Sequence, residues 1–120
     1  MASSLFLAAS LLTGVLFLML MFNPQSFLTD VGLVGTPDAL FLARRASIFM
    51  LALCLMALVA RNHGAAIQQL TALVFAFIMG GLALLGLVEW IRGVVNKRIF
   101  VAITVETVFA FGFVWAFANT

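Results

Sequence analysis

The chain has 120 residues, of which 66% are hydrophobic and only 8% charged, with a formal net charge of +2 and a mean hydropathy of +1.29. Soluble domains run at roughly 45–50% apolar and about 25% charged residues, so this composition excludes a water-soluble globule and describes an integral membrane protein. One domain fits, because each helical crossing takes ~20 residues and four crossings use nearly all of the chain. The six basic residues punctuate helix ends and form no contiguous basic surface of the kind nucleic acid requires.

The first span is predicted over residues 4–22, uncharged from Ser4 to Phe22 and stopped by Asn23-Pro24. It lacks the basic start of a secretory signal, and its apolar run exceeds the ~7–15 residues of a signal core, so it reads as a retained crossing. From Asn23 to Thr36 the chain turns polar, with Gly32 and Gly35, while Phe27, Leu28, Val31 and Leu33 keep a loose helical rhythm. This pattern predicts a short interfacial segment lying on the membrane surface.

Thr36-Pro37-Asp38 announces the second span with a capping hydroxyl, proline in the first turn and a carboxylate at the positive end of the helix dipole. It is expected over 37–61. The charge-free run from Ala46 to Ala60 is only about 22 Å long, short of the ~30 Å hydrocarbon core, so Arg44 and Arg45 must approach the lipid zone. Arg61-Asn62-His63-Gly64 makes a tight polar turn with glycine as a stop signal. The third span follows over 66–91, ending near Trp90, and the fourth over 98–118, opened by Lys97-Arg98 and with Trp115 as a belt residue at its far end. The expected fold is all-α, an up-down-up-down four-helix membrane bundle.

Cations set the expected orientation. Arg44, Arg45, Arg92, Lys97 and Arg98 flank the first and third connections, against Arg61 alone at the second. The positive-inside rule then puts both termini outside, which is periplasmic in a bacterial inner membrane.

Arg45 and Glu106 are the leading site candidates, since an ionisable group within a membrane-crossing run costs roughly 2.5–3.5 kcal/mol on insertion scales and usually faces a bundle interior with a partner. Counted back from the outer ends of their helices, Arg45 lies about 24 Å deep and Glu106 about 20 Å, which permits an ion pair between the second and fourth spans. Glu89 and Arg92 stand at i,i+3 on one helix face. Arg44, Arg45, Glu89, Arg92 and Glu106 are therefore expected as one polar cluster, either a structural charge network or a site for a proton, an ion or an anionic headgroup.

Small residues at four-residue spacing allow close helix approach in lipid. Ser10 and Gly14, Ala72, Ala76 and Gly80 with Gly81, and Gly112 with Ala116 are the expected packing positions. Thirteen phenylalanines and no tyrosine suit apolar packing; Phe109, Phe113 and Met79 as a pigment or quinone pocket is the less economical alternative. The single cysteine, Cys54, admits no intrachain disulfide and reads as a small buried apolar residue. His63 is alone, which excludes a bis-histidine haem held within one chain. No nucleophile-base set, phosphate loop or metal spacing is present, so no enzyme, cofactor or metal site is expected.

Asn23-Pro24, Gly32-Leu33, the arginines opening the second span, Gly80-Gly81, Glu89 with Arg92-Gly93, and Glu106 together resemble small DoxX-like bacterial inner-membrane proteins, more narrowly a four-helix family of unknown function. The resemblance covers nearly the whole chain and implies a four-helix inner-membrane bundle, with no activity to carry over. Ala46-Ser47-Ile48 stands where that layout has a glycine after the arginine. The expected function is a non-enzymatic accessory or scaffolding subunit, packed against a larger membrane complex or copies of itself among membrane lipids. The alternative is a small transporter or lipid/anion-binding protein using the Arg/Glu cluster.

Overall fold

The computed structural model describes residues 2–119, and within them every regular element is helical: α1 (Ala2–Phe22), α2 (Pro24–Asp30), α3 (Pro37–Arg61), α4 (Ala65–Ile91) and α5 (Ile99–Ala118). All but α2 are long and apolar enough to cross a membrane. This is a multi-pass membrane protein built as an up-down-up-down four-helix bundle.

Local chemistry accounts for the breaks. Pro24 opens α2, whose Pro24 and Leu28 are buried; Val31, just beyond its end, is buried too. Those positions follow an i, i+4, i+7 stripe, the one-sided pattern of a helix lying at an interface. Gly32 then adopts a φ of +86°, a conformation in which a Cβ would be strained. The α3 start is capped as its sequence predicts: the Ala39 amide donates to Thr36 Oγ1 at 3.2 Å. At the other end of α3, a three-residue turn leads into α4, one residue earlier than its apolar pattern indicates.

Helix packing is uneven. α1 lies along α3 and α4 along α5 as two close pairs, whereas the pairs touch each other sparsely, through α3 with α4 and α1 with α5. α3 and α5 are thus diagonal, with α1 and α4 between them. Small residues carry the close approaches: Gly14 lets Cys54 Sγ within 3.5 Å of where a Cβ would stand, and Gly86 lets Ile103 Cγ1 within 3.2 Å of the same point.

The pairs are fastened at two places. At the end holding the termini and the α3–α4 turn, Phe6, Ala57, Ala60, Ala72, Phe75, Met79, Phe113 and Ala116 form one buried cluster. Its ring centroids lie 5.5 Å apart for Phe6–Phe113 and 5.0 Å for Phe75–Phe113, within the range of favourable aromatic pairs. Polar groups finish this end: Arg61 Nε donates to Ser3 Oγ at 2.9 Å, and Gln69 Nε2 donates to the Phe117 carbonyl at 3.1 Å.

At the opposite end the fastening is polar. The Asn96 amide donates to the Val31 carbonyl at 2.9 Å, Asn96 Nδ2 donates to the Asp30 carbonyl at 3.1 Å, and Arg98 Nη1 donates to Asp30 Oδ1 at 2.8 Å. Three of the hydroxyls buried along the spans are satisfied locally: Ser10 donates to the Leu7, Thr13 to the Ala9 and Ser47 to the Arg44 carbonyl. No buried side-chain nitrogen or oxygen among the described residues lacks a partner, as a hydrocarbon surrounding demands.

Candidate functional site: an inward carboxylate and an outward arginine pair

Glu106 occupies α5 seven residues before Phe113, almost exactly two helical turns, so it continues the buried stripe of Phe113 toward the polar fastening. Its residue is half-buried, and its carboxylate makes no hydrogen bond or ion pair with any described residue. Ala110 and Ile103, on either side of it along α5, pack toward Gly80 and Gly86 of α4. Glu106 therefore lies on the side of α5 turned toward α4, in the stretch between the aromatic cluster and the Asn96 fastening.

Arg45 lies elsewhere. At about 100° per residue, the buried face of α3 at Ala43 and Ser47 sits opposite Arg45 and well away from Phe41 and Ile48, with Arg44 on its flank. Both arginines are exposed. The Arg45 guanidinium carbon lies 5.6 Å from the centre of the Phe41 ring, a cation–π distance, and Arg45, Ile48 and Phe49 line a shallow apolar groove on this outer face.

The expected five-residue cluster is not assembled in this chain. Among the described residues the one ion pair within 4.0 Å joins Arg98 to Asp30, so neither Arg45 with Glu106 nor Glu89 with Arg92 forms one. The physical reason is angular. Depth estimates place groups along the bundle axis but not around it, and α3 and α5 are diagonal with Arg45 turned outward. Glu89 is half-buried near the end of α4, while Arg92 is exposed just past that end.

Of the small-residue positions, Ser10 and Ala72 are fully or nearly fully buried, as is Ala116; Ala76 packs against the aromatic cluster. Gly112 approaches Leu5, whose Cδ1 lies 3.2 Å from an ideal Cβ position, and Gly80 faces Ala110 at 4.0 Å. Gly81 is the correction: a Cβ there meets nothing within 4 Å, so it opens outward and packs nothing. Gly86 makes a tighter approach than either of the paired glycines, a role its isolated place in the sequence does not announce. The Asn96–Asp30–Arg98 link was likewise unmarked, since its partners are 66 and 68 residues apart.

Two apparatus-free residues complete the inventory. Cys54 is a half-buried free thiol wedged against Gly14, and His63 is exposed in the α3–α4 turn with Nδ1 2.7 Å from the Val59 carbonyl. No three His, Cys, Asp or Glu side chains among the described residues gather as metal ligands. What this arrangement offers chemically is a lone carboxylate facing an interhelical seam and a pair of cations facing outward near one membrane surface. Compared with protein-family models, curated proteins and solved structures, the chain gives no match.

Proposed function

We propose that this chain is a non-enzymatic accessory or scaffolding subunit of a bacterial inner-membrane complex, oriented with its cation-rich end in the cytoplasm and its termini in the periplasm. The observation that carries the reading is Glu106: a half-buried carboxylate on the α4-facing side of α5, inside a membrane-crossing helix, with no partner among the described residues. A group of that kind within a bilayer is costly unless something pairs with it. A polar side chain from a neighbouring subunit, reaching its half-exposed carboxylate, meets that need. Interhelical hydrogen bonds of this type contribute about 1 kcal/mol each in membranes, enough to select a partner once helix packing supplies the bulk of the affinity.

The same carboxylate supports a second reading, a small transporter in which Glu106 carries a proton or binds an ion in the seam. Glu106→Gln separates the two. As an accessory subunit, the variant inserts normally but loses the chains that co-purify with the native protein in mild detergent, and flux in proteoliposomes is the same for both. Retained partners together with abolished proton-coupled flux would overturn the accessory reading in favour of transport.

A further inference from the structure

We infer that the outward face of α3 is a binding site for an anionic phospholipid, whose phosphate is clamped between Arg44 and Arg45 while an acyl chain lies in the groove along Ile48 and Phe49. Three observations build the site. Viewed down the helix, Arg44 and Arg45 flank the line through Phe41 and Ile48, each about 50° to its own side. Both are exposed and meet no carboxylate among the described residues. Below them toward the membrane middle, the groove wall is wholly apolar apart from Arg45 itself.

Depth matches a headgroup. Sixteen residues of α3 separate Arg45 from Arg61, about 24 Å of helix. Against a hydrocarbon core of ~30 Å, that leaves Arg45 roughly 6 Å inside the opposite boundary, a distance that an extended arginine spans by snorkelling. Its guanidinium then lies at the level of lipid phosphates, which it can grip with two parallel N–H donors. Phe41, stacked on Arg45, holds one arm of the clamp in place.

Charge complementarity favours lipid over a second copy of this chain. Glu89 and Glu106 are half-buried, Asp30 is engaged by Arg98, and Asp38 lies in the first turn of α3 itself. Among the described residues a second copy could bring only half-buried carboxylates, Glu89 and Glu106, toward this depth, whereas an anionic headgroup is presented to this face by the leaflet itself. The site is independent of Glu106 and of any partner found through it.

The test is native mass spectrometry of the whole protein from detergent containing equal amounts of phosphatidylglycerol and phosphatidylcholine with matched acyl chains. The expected result is at least fivefold preferential retention of phosphatidylglycerol, reduced to parity by R44Q/R45Q and unchanged by Lys97→Gln, a control that removes an exposed cation outside the clamp. Millimolar inorganic phosphate is expected not to displace the lipid, because it gains nothing from the groove. Equal retention of the two lipids by the native protein overturns the site without recourse to any variant. It is also overturned if K97Q lowers retention as far as R44Q/R45Q, which marks diffuse attraction, if inorganic phosphate displaces the lipid, or if R44Q/R45Q keeps the lipid and instead loses a co-purifying protein.

Discussion

The two fastenings between the helix pairs do the same job with opposite chemistry. At the end with the termini, Phe6, Phe75 and Phe113 interlock and are each fully buried; at the other, Asn96, Asp30 and Arg98 meet with the ion-paired side chains 67% and 56% exposed. The difference follows the solvent. Within the bilayer lipid tails are as apolar as phenylalanine, so only close packing and geometry distinguish a native contact from a lipid contact. At the surface water competes for every polar group, so the link draws its strength from backbone hydrogen bonds and keeps the ion pair as a minor addition. One end is expected to resist unfolding, and the other to set how far the pairs separate.

Truncating the aromatic end tests this most severely. Phe113 touches Phe6, Phe75 and Phe109, so Phe113→Ala empties the junction of three helices. A cost of about 3 kcal/mol is expected, at the lower end of the Phe→Ala range because lipid recovers part of the transfer energy but none of the lost packing. Unfolding in mixed micelles of rising SDS fraction reads it directly. A loss under ~1 kcal/mol would mean that the pairs are not joined there.

Contacts inside a pair are expected to be indifferent to which end they occupy, and two glycines of α4 check this. At Gly86 a methyl group meets Ile103 at 3.2 Å and Ile99 at 3.5 Å, branched side chains with little room to move. Gly86→Ala therefore trades about 1 kcal/mol of helix propensity against roughly 2 kcal/mol of overpacking, a net loss near 1 kcal/mol. Gly81→Ala meets open space and keeps the propensity gain, so it stabilises by up to ~1 kcal/mol. The same SDS titration should order them Gly81→Ala, native, Gly86→Ala; the reverse order would mean that the α4–α5 seam runs along a different face.

How much of this was legible beforehand depends on the kind of information each residue carries. Thr36-Pro37-Asp38 marked the α3 start because capping is local, and the four apolar runs marked the spans because bilayer thickness fixes their length. The Arg45–Glu106 pairing failed because counting residues gives depth and says nothing of azimuth or of which helices are neighbours. A signal for azimuth was present: Ala43 and Ser47, the small residues beside the arginines, mark the packed face of α3 and imply that Arg45 points away from it and Arg44 sits on its flank. Gly80-Gly81 stands out as a doublet, yet adjacent residues face about 100° apart, so only one of the two can meet the neighbouring helix. The Asn96 link had no local signature at all, since its strength comes from carbonyls supplied by a distant loop.

The polar end is broken more gently through Gly32. Its φ of +86° disfavours any Cβ by roughly 1–2 kcal/mol, and here the added carbon also stands 3.2 Å from Asn96 Nδ2. Gly93 has a comparable φ of +76° with nothing nearby, which makes it the natural control. Gly32→Ala and Gly93→Ala are expected to share the backbone strain, while only Gly32→Ala speeds hydrogen exchange at the Asn96 amide. Equal exchange in the two variants would show that the Val31–Asn96 bond does not hold the pairs together.

The smallest effect belongs to the ion pair. Asp30→Asn removes the Arg98 salt bridge but leaves the Asp30 carbonyl to accept from Asn96 Nδ2 and the Val31 carbonyl to accept from the Asn96 amide. With both charges largely exposed, the loss should stay below about 1 kcal/mol, and most of it should vanish between 0.05 and 1 M salt, where the screening length falls to ~3 Å. Asn96→Ala, which deletes the side-chain bond to Asp30 and the acceptor for the Arg98 amide, should cost about as much at low salt and keep its cost at high salt, because a neutral hydrogen bond is not screened. If Asp30→Asn proves the larger loss and is insensitive to salt, then the charge pair holds this end of the bundle, and the contrast with the aromatic end is one of charge against packing.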